Sequence, residues 1–249
     1  MTRSDTVGEE PWCLDANGVR IASGTASPGH AEELAIGRLL ADGYIAQRED
    51  LLSITVDRLH RGGMTQSGHS GTVRVRAHVA AAAYEAGRAE AVHRSECGCG
   101  LLHFVACDAA AARLPRSAGL PGAKATAEQL RSLFAACDAA SATGGVHAAA
   151  LVHDDVLNDH VVDVSRHAAV EKAIGAAFLA GDSLQDRGLV LTARISGQIA
   201  LTAARAGVAW VASRSLATTL AIAIARAARL PLITRAAGRD RAVIAPVDS

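Results

Sequence analysis

The residues best suited to chemistry fall in three short stretches. The first is Ser95-Glu96-Cys97-Gly98-Cys99-Gly100, two thiols separated by one glycine and followed by another. Glycines beside paired thiols are expected to leave the sulfurs exposed. A neighbouring cation such as His93, Arg94 or His103 would favour the thiolate, the form that attacks sulfur. A thiol of that kind can carry a persulfide. Two other readings stand beside this one. The pair is half of a zinc site, although Cys13, Cys107 and Cys137 supply no second Cys-x-x-Cys, or it is two cysteines without a role in a turn.

The second stretch is Thr143-Gly144-Gly145-Val146-His147, ahead of a strand. Its glycines let backbone N–H groups approach an anion, and Thr143 and His147 can bond a ligand; a plain turn competes with that role. The third is Asp163-Val164-Ser165-Arg166-His167, continuing to Lys172. Ser165 reads as an N-cap, which puts Arg166 and His167 in the first turn of a helix. There the free amides and the macrodipole already favour an anion. Cations at that end oppose the dipole, so a bound phosphate accounts for them better than helix stability does; the alternative is that Asp163 or another carboxylate pairs with them. Arg194 and Ser213-Arg214 follow two further strand-like runs at equivalent positions. Each alone is an ordinary surface arginine, whereas together they point to a ligand with several phosphates. No Walker-A spacing and no Gly-x-Gly-x-x-Gly after a strand is present, so ATP hydrolysis and NAD chemistry find no support.

These residues need elements to hold them. Trp12–Leu14 and Val19–Ala22 flank Asn17-Gly18, a strong hairpin signal. Ser27-Pro28 is expected to open a helix with Glu32 and Glu33 in its first turn and Asp42-Gly43 at its end. Strands are expected at Leu51–Val56 and Thr72–Val79, with a loop over Arg61–Gly68 between them. A linker over Arg116–Lys124 precedes a helix that Thr126 caps and that runs to about Ala140. Strands at Val146–Val152, Val161–Val164, Leu189–Leu191, Val208–Val211 and Leu232–Thr234 then alternate with helices at Ala168–Leu179, Ser196–Ala206 and Leu216–Leu230. That order implies a largely parallel sheet covered on both faces, with the ligand beyond the carboxyl ends of its strands.

The chain has 249 residues, half of them hydrophobic, and 25 Lys+Arg balance 25 Asp+Glu. The balance argues against a disordered tail and against a broad nucleic-acid footprint. Fifty-five alanines against 3% aromatics imply a core built on close backbone approach. The start is polar and acidic, without the apolar run of a secretory signal. The apolar stretch Leu216–Leu232 carries Arg226 and Arg229 and so reads as a buried helix instead of a membrane span. Five cysteines without a signal peptide argue against a disulfide framework and for the cytoplasm.

Taken in order, these motifs resemble the formate dehydrogenase accessory sulfurtransferase family (FdhD/NarQ). The resemblance covers most of the chain: Glu10-Pro11, Asn17-Gly18, Ser27-Pro28 with Glu33–Gly37 and Leu39–Gly43, then Cys97–Gly100, Thr143–Leu151, Asp163–Gly175 and Thr218–Ala225. It implies an α/β fold, a cytidine-deaminase-like three-layer domain over residues 116–249 with a smaller N-terminal α+β subdomain over residues 1–115 that holds the Cys loop. It also implies a homodimer. The implied activity takes sulfur as a persulfide from a cysteine desulfurase and passes it to a molybdenum or tungsten bis-guanine-dinucleotide cofactor, the client cargo, for formate dehydrogenase. Cys97 and Cys99 would carry the sulfur. Thr143, Gly144, Gly145, His147, Asp163, Arg166, His167, Lys172 and Arg194 would hold the cofactor, with no metal ligands, no cofactor of the protein's own, no nucleic acid and no membrane.

The chain departs from the family pattern at several places. One residue is missing between the two cysteines of the usual Cys-Gly-x-Cys-Gly. Ser165 and Ala168 stand where the family has Gly and Asn, and Thr192-Ala193-Arg194 replaces Ser-Gly-Arg. Gln198 and Thr202 replace an acid and a lysine. These changes keep two further readings open, a scaffold turned to another small molecule and a non-catalytic chaperone of the cofactor. A zinc deaminase is disfavoured because His-x-Glu and Pro-Cys-x-x-Cys spacing is absent.

Overall fold

A computed structural model describes residues 6–60, 71–91 and 119–244. The hairpin forms as expected: β1 (Glu10–Ala16) and β2 (Val19–Ala26) pair antiparallel around Asn17 and Gly18, both at positive φ. Asn17 also ties the turn to the next strand pair, its amide donating to Val79 O at 3.0 Å while its Oδ1 accepts from Val79 N at 2.8 Å. β3 (Leu51–His60) and β4 (Gly71–Val79) complete a four-stranded sheet of order β2-β1-β4-β3, in which β1 and β4 run parallel. Val73, Val75, Ala77 and Val79 alternate inward along β4, the period-two signature of a half-buried strand.

Between β2 and β3 lies helix α1 (Ala31–Ala41), which starts later than its sequence signals suggest. His30, at φ 56°, occupies the N-cap position without a side-chain cap. Ser27 does not cap the helix because its polar atoms are engaged elsewhere, as described below. Helix α2 (Ala81–Ala91) follows β4 and carries no strong sequence signal. Helix α3 (Ala123–Ala140) starts at Gly122 instead of being capped by Thr126. Thr126 is buried within its first turn and donates to Gly122 O at 2.9 Å.

The second sheet comprises β5 (His147–His153), β6 (Val156–Leu157), β7 (Val161–Asp163), β8 (Gly188–Leu191), β9 (Trp210–Ser213), β10 (Leu232–Thr234) and β11 (Ala242–Ile244). Its order is β11-β10-β9-β8-β5-β6, with β7 also on β5. The expected largely parallel sheet is corrected here. Only β8, β9 and β10 are mutually parallel, while β5 runs antiparallel to β6, β7 and β8 and β11 is antiparallel to β10. Helix α3 joins β5 from the N-terminal side, so the first sheet strand enters without a βαβ crossover.

Helices α4 (Arg166–Ala180), α5 (Gly197–Ala206) and α6 (Thr219–Ala227) cover one face and α3 the other. The stretch expected as a helix over Leu216–Leu230 is helical only over α6, because Ile195 and Ala217 form a parallel bridge that keeps residues before Thr218 extended. Ala149, Leu151, Leu189, Leu191 and Val211 face α4–α6; Ala148, Ala150, Val190, Trp210 and Ile233 face Leu130, Leu133 and Cys137 of α3. The first core continues without a break through α1 into the inner face of the N-terminal sheet. Among the described residues, no helix is long and apolar enough to cross a membrane.

The contact that joins the two halves is the crossing of α1 and α4. A Cβ on Gly37 would lie 1.9 Å from Glu171 O, and one on Gly175 would lie 1.9 Å from Glu33 O. The two glycines therefore let the backbones touch reciprocally, as the alanine-rich composition anticipates. Arginines close both helix ends: Arg205 donates to Ala41 O at 2.6 Å, and Arg48 donates to Phe178 O and Leu179 O at 3.2 and 2.9 Å.

Beside the crossing, Glu171 is buried with Arg38 as its cation at 3.5 Å, and Arg38 also holds Asp42 at 2.7 Å. Burial pushes the Glu171 carboxyl up to about 7, against the pull of Arg38. A carboxyl raised in the folded state contributes stability that is complete below its ordinary value and is lost as pH rises through about 7.

Two outcomes follow. Gly175→Ala, which in an ordinary helix interior would stabilise, will instead destabilise by about 3 kcal/mol in urea unfolding, the upper range for overpacking. Glu171→Gln will flatten the pH dependence of stability, gaining roughly 3 kcal/mol on the wild type between pH 4.5 and 8; a pH-independent difference would refute the buried-acid assignment.

Candidate functional site

The carboxyl ends of β8, β9 and β10, the start of β5 and the end of β7 share one edge of the second sheet, because His147 pairs with Asp163 and Ala149 with Leu191. Three helices begin at this edge, each capped by a hydroxyl. Ser165 accepts from Ala168 N, Ser196 from Ile199 N and Thr218 from Ala221 N. Such N-termini offer free amides to an anion.

Arg166 and His167 occupy the first turn of α4, as the Ser165 cap predicts. His167 Nε2 lies 3.3 Å from Ser196 Oγ, so the first turn of α4 touches the cap of α5. Burial lowers the His167 imidazole to about 4, with Arg166 next in effect and then Arg38 and His147. His147 is lowered too, by burial and then by Arg166, while Asp163 opposes. His147, Arg166 and His167 thus form one electrostatically coupled group in which both imidazoles are neutral at pH 7. The Arg166 Nε is a buried donor with no hydrogen-bond partner among the described residues. Arg194 follows β8 at the same edge and is exposed.

Thr143, Gly144 and Gly145 are exposed and lead directly into β5. Gly144 and Gly145 both have φ above 80°, and Ser141 Oγ donates to Gly144 O at 2.6 Å. A side chain is strained at either glycine, so the pair is required by the turn whatever else it does.

Asp163 and Lys172 lie on the inner side of this edge, away from solvent. Their side chains are 0% and 1% exposed and pair at 2.7 Å. Lys172 also donates to Ser27 O at 2.8 Å; Asp163 accepts from Ser27 N at 3.2 Å and from Ser165 N at 2.8 Å, and Ser27 Oγ accepts from Val164 N at 3.0 Å. These bonds staple the end of β2 to the start of α4. A buried pair with these partners holds position. Ser27 is the residue whose role the sequence signals misassign, since Ser-Pro before an acidic turn looks like a helix cap. Arg38, Glu171 and Ser196 are further contributors that no spacing rule singles out.

The paired thiols Cys97 and Cys99, and Cys107, lie outside the described residues. Cys13 and Cys137 are buried free thiols. Burial raises the Cys137 thiol, and a hydrogen bond with Thr192 opposes that shift. Among the described residues, no three His, Cys, Asp or Glu side chains are grouped to hold a metal ion.

A sheet edge gathering three capped helix N-termini and a cation–imidazole group marks the candidate site of this α/β protein. The model of the FdhD/NarQ family matches residues 7–246, and the chain belongs to that family. Among its relatives, the sulfur carrier protein FdhD of Staphylococcus haemolyticus is 30% identical over 229 residues, 90% of this chain and 81% of that protein. The protein of the same name from Bacillus subtilis is 29% identical over 219 residues, 88% of this chain and 80% of that one. In fold, the chain is similar to the crystal structure of a putative formate dehydrogenase accessory protein from Desulfotalea psychrophila. The TM-score is 0.68 with 19% identity, covering 96% of this chain and 88% of the other.

In an NMR titration the wild-type His167 ring will remain neutral down to about pH 4. Arg166→Ala will move its midpoint upward, yet leave it below 6.5 because burial is the larger cause; a wild-type midpoint near 6.5 would contradict this geometry.

Proposed function

We propose that this protein is a sulfur-carrier transferase that accepts persulfide sulfur from a cysteine desulfurase and delivers it to a molybdenum or tungsten bis-guanine-dinucleotide cofactor destined for formate dehydrogenase. The observation that carries the proposal is the convergence of His147, Arg166, His167 and Arg194 on one sheet edge that three capped helices already prepare for phosphate. The curated relatives' name, sulfur carrier protein, supports the same role.

In the first step a thiolate of Cys97 or Cys99 attacks the terminal sulfur of the donor persulfide. A new S–S bond forms on the acceptor, the donor S–S bond breaks and the desulfurase thiolate leaves. With the cargo bound, the second thiolate attacks the inner sulfur of the new persulfide, closing a Cys97–Cys99 disulfide and releasing hydrosulfide for the metal, and a dithiol reductant reopens the disulfide for the next turn. Meanwhile Arg166 and Arg194 hold phosphates of the cargo, and a phosphate beside His167 and His147 favours their protonation, adding positive charge where it is used. Thr143, Gly144 and Gly145 border the same edge and would contact the nucleotide through backbone. Asp163 and Lys172 act behind it, fixing the first turn of α4. In this account the C-terminal part, residues 116–249, is the cytidine-deaminase-like domain, residues 1–115 form the smaller part with the thiols, and two copies assemble as a homodimer.

Incubation with a cysteine desulfurase and cysteine will add one sulfur by intact-mass analysis. The Cys97→Ala/Cys99→Ala double variant will take up none and leave apo formate dehydrogenase inactive. Unchanged activation by the double variant would instead establish a non-catalytic chaperone.

A further inference from the structure

The arginines of the described residues are sorted by place. Most pair with a carboxylate or donate to a backbone carbonyl. Arg226 and Arg229 do neither, but they stand at the carboxyl end of α6, where a cation suits the helix dipole. The other arginines without such a partner among the described residues gather at the functional edge. Arg166 and Arg194 border the candidate site there, and three more lie beyond them. Arg214 directly follows β9, Arg235 directly follows β10 and Arg239 lies in the next turn, all exposed. Strands β9 and β10 are parallel neighbours, about 4.8 Å apart in a sheet, and Arg235 N donates to Ser215 O at 3.0 Å. These arginines thus form one continuous row.

The row is flanked by apolar surface. The Arg214 guanidinium lies over the Phe134 ring of α3, 5.1 Å from its centroid, which fixes the cation in place. A groove of about 510 Å³ opens there, lined also by Leu130 and Ala237. Leu216, between Arg214 and Arg235 along the row, is 56% exposed. A cluster of phosphates does not suit this surface. Asp138 lines the groove, and α3 ends two residues later with no cation in its last turn, so the negative end of its dipole adds to that carboxylate. The helix N-termini at this edge belong to α4, α5 and α6, on the other face of the sheet. Separate carboxylates, each set opposite one arginine and joined by apolar contact, fit the surface instead. That is the chemistry of a protein partner, since arginine and aromatic side chains are enriched in interface cores.

We propose that the Arg214–Arg235–Arg239 row and the Phe134 groove dock the enzyme that receives the cargo, through an acidic segment with an apolar anchor. The inference rests on the transfer role proposed above. Arg194, which follows the neighbouring strand β8, borders the candidate site, so a recipient seated on the row lies beside the cargo it takes. The sulfur donor must instead reach Cys97 or Cys99. Exposed arginines of this kind chiefly speed encounter and make it sensitive to salt, while a packed ring slows release.

The test is biolayer interferometry of the full chain against apo formate dehydrogenase. The wild type will bind, more weakly as salt rises. Arg214→Glu/Arg235→Glu will weaken binding about tenfold or more, and Phe134→Ala will speed dissociation by a similar factor. Arg226→Glu/Arg229→Glu makes the same change of net charge at the far end of α6 and will leave binding unaltered. The edge variant will still take up one sulfur by intact mass and bind GDP as the wild type does, which also shows that it is folded. Equal weakening by the two double variants would reduce the effect to net charge and overturn the surface. Lost GDP binding with retained formate dehydrogenase binding would give the row to the cargo and overturn it as well, as would a wild type that does not bind the enzyme. A wild type that binds through the row but takes up no sulfur would sink the transfer role and leave the surface standing.

Discussion

Backbone contact between α1 and α4 is the constraint on which the rest of the molecule depends. Gly37 against the Glu171 carbonyl and Gly175 against the Glu33 carbonyl bring the two helices as close as chains can pack. That closeness makes one core out of two sheets, since α1 carries the inner face of β1 and β4 on one side and α4 carries β5 and β8 on the other. It also excludes water from the space beside it, where Asp42, Glu171, Asp163 and Lys172 are buried and Arg38 reaches in from a partly exposed position. Charges so placed must be paired, and they are, each bond linking a residue of the first half to one of the second or fixing an adjacent turn.

The functional edge inherits its geometry from that interior. Asp163 fixes the Ser165 amide and Lys172 fixes Ser27, so the direction in which α4 begins is settled by buried bonds behind it. What emerges on the solvent side is a helix start bearing Arg166 and His167, an arrangement that opposes the helix dipole, and both nearby imidazoles are lowered by burial and then by Arg166. Fully paired charges inside and an under-neutralised group outside are two ends of one helix turn. The contrast makes the outer end the candidate for a ligand.

Much of this was legible in the sequence, and the reasons it was or was not are local. Asn17-Gly18 and the alternation in Thr72–Val79 specify their elements because turn geometry and strand period act over a few residues. Ser165 announced the start of α4 for the same reason. Strand direction is a long-range property, and the antiparallel insertion of β5 between β7 and β8 left no mark in a strand–helix alternation that looks parallel. Asp163 and Lys172 were recognisable as part of a motif, but not as partners of Ser27, 136 and 145 residues away. Ser27 itself was misleading because Ser-Pro-x-x-x-Glu fits a helix cap in any local account. The stacking of Arg214 on Phe134 had no local signal, since the two side chains meet only through the fold.

The most direct test of the account is the titration of the two imidazoles at the α4 start with and without an anion. NMR titration of His167 and His147 in the wild type, alone and saturated with GDP, will show both midpoints raised by GDP, because a phosphate beside the rings opposes the burial and the Arg166 charge that hold them low. Midpoints that GDP leaves unchanged or lowers would mean that the phosphates sit elsewhere and that the helix crossing does not build the site.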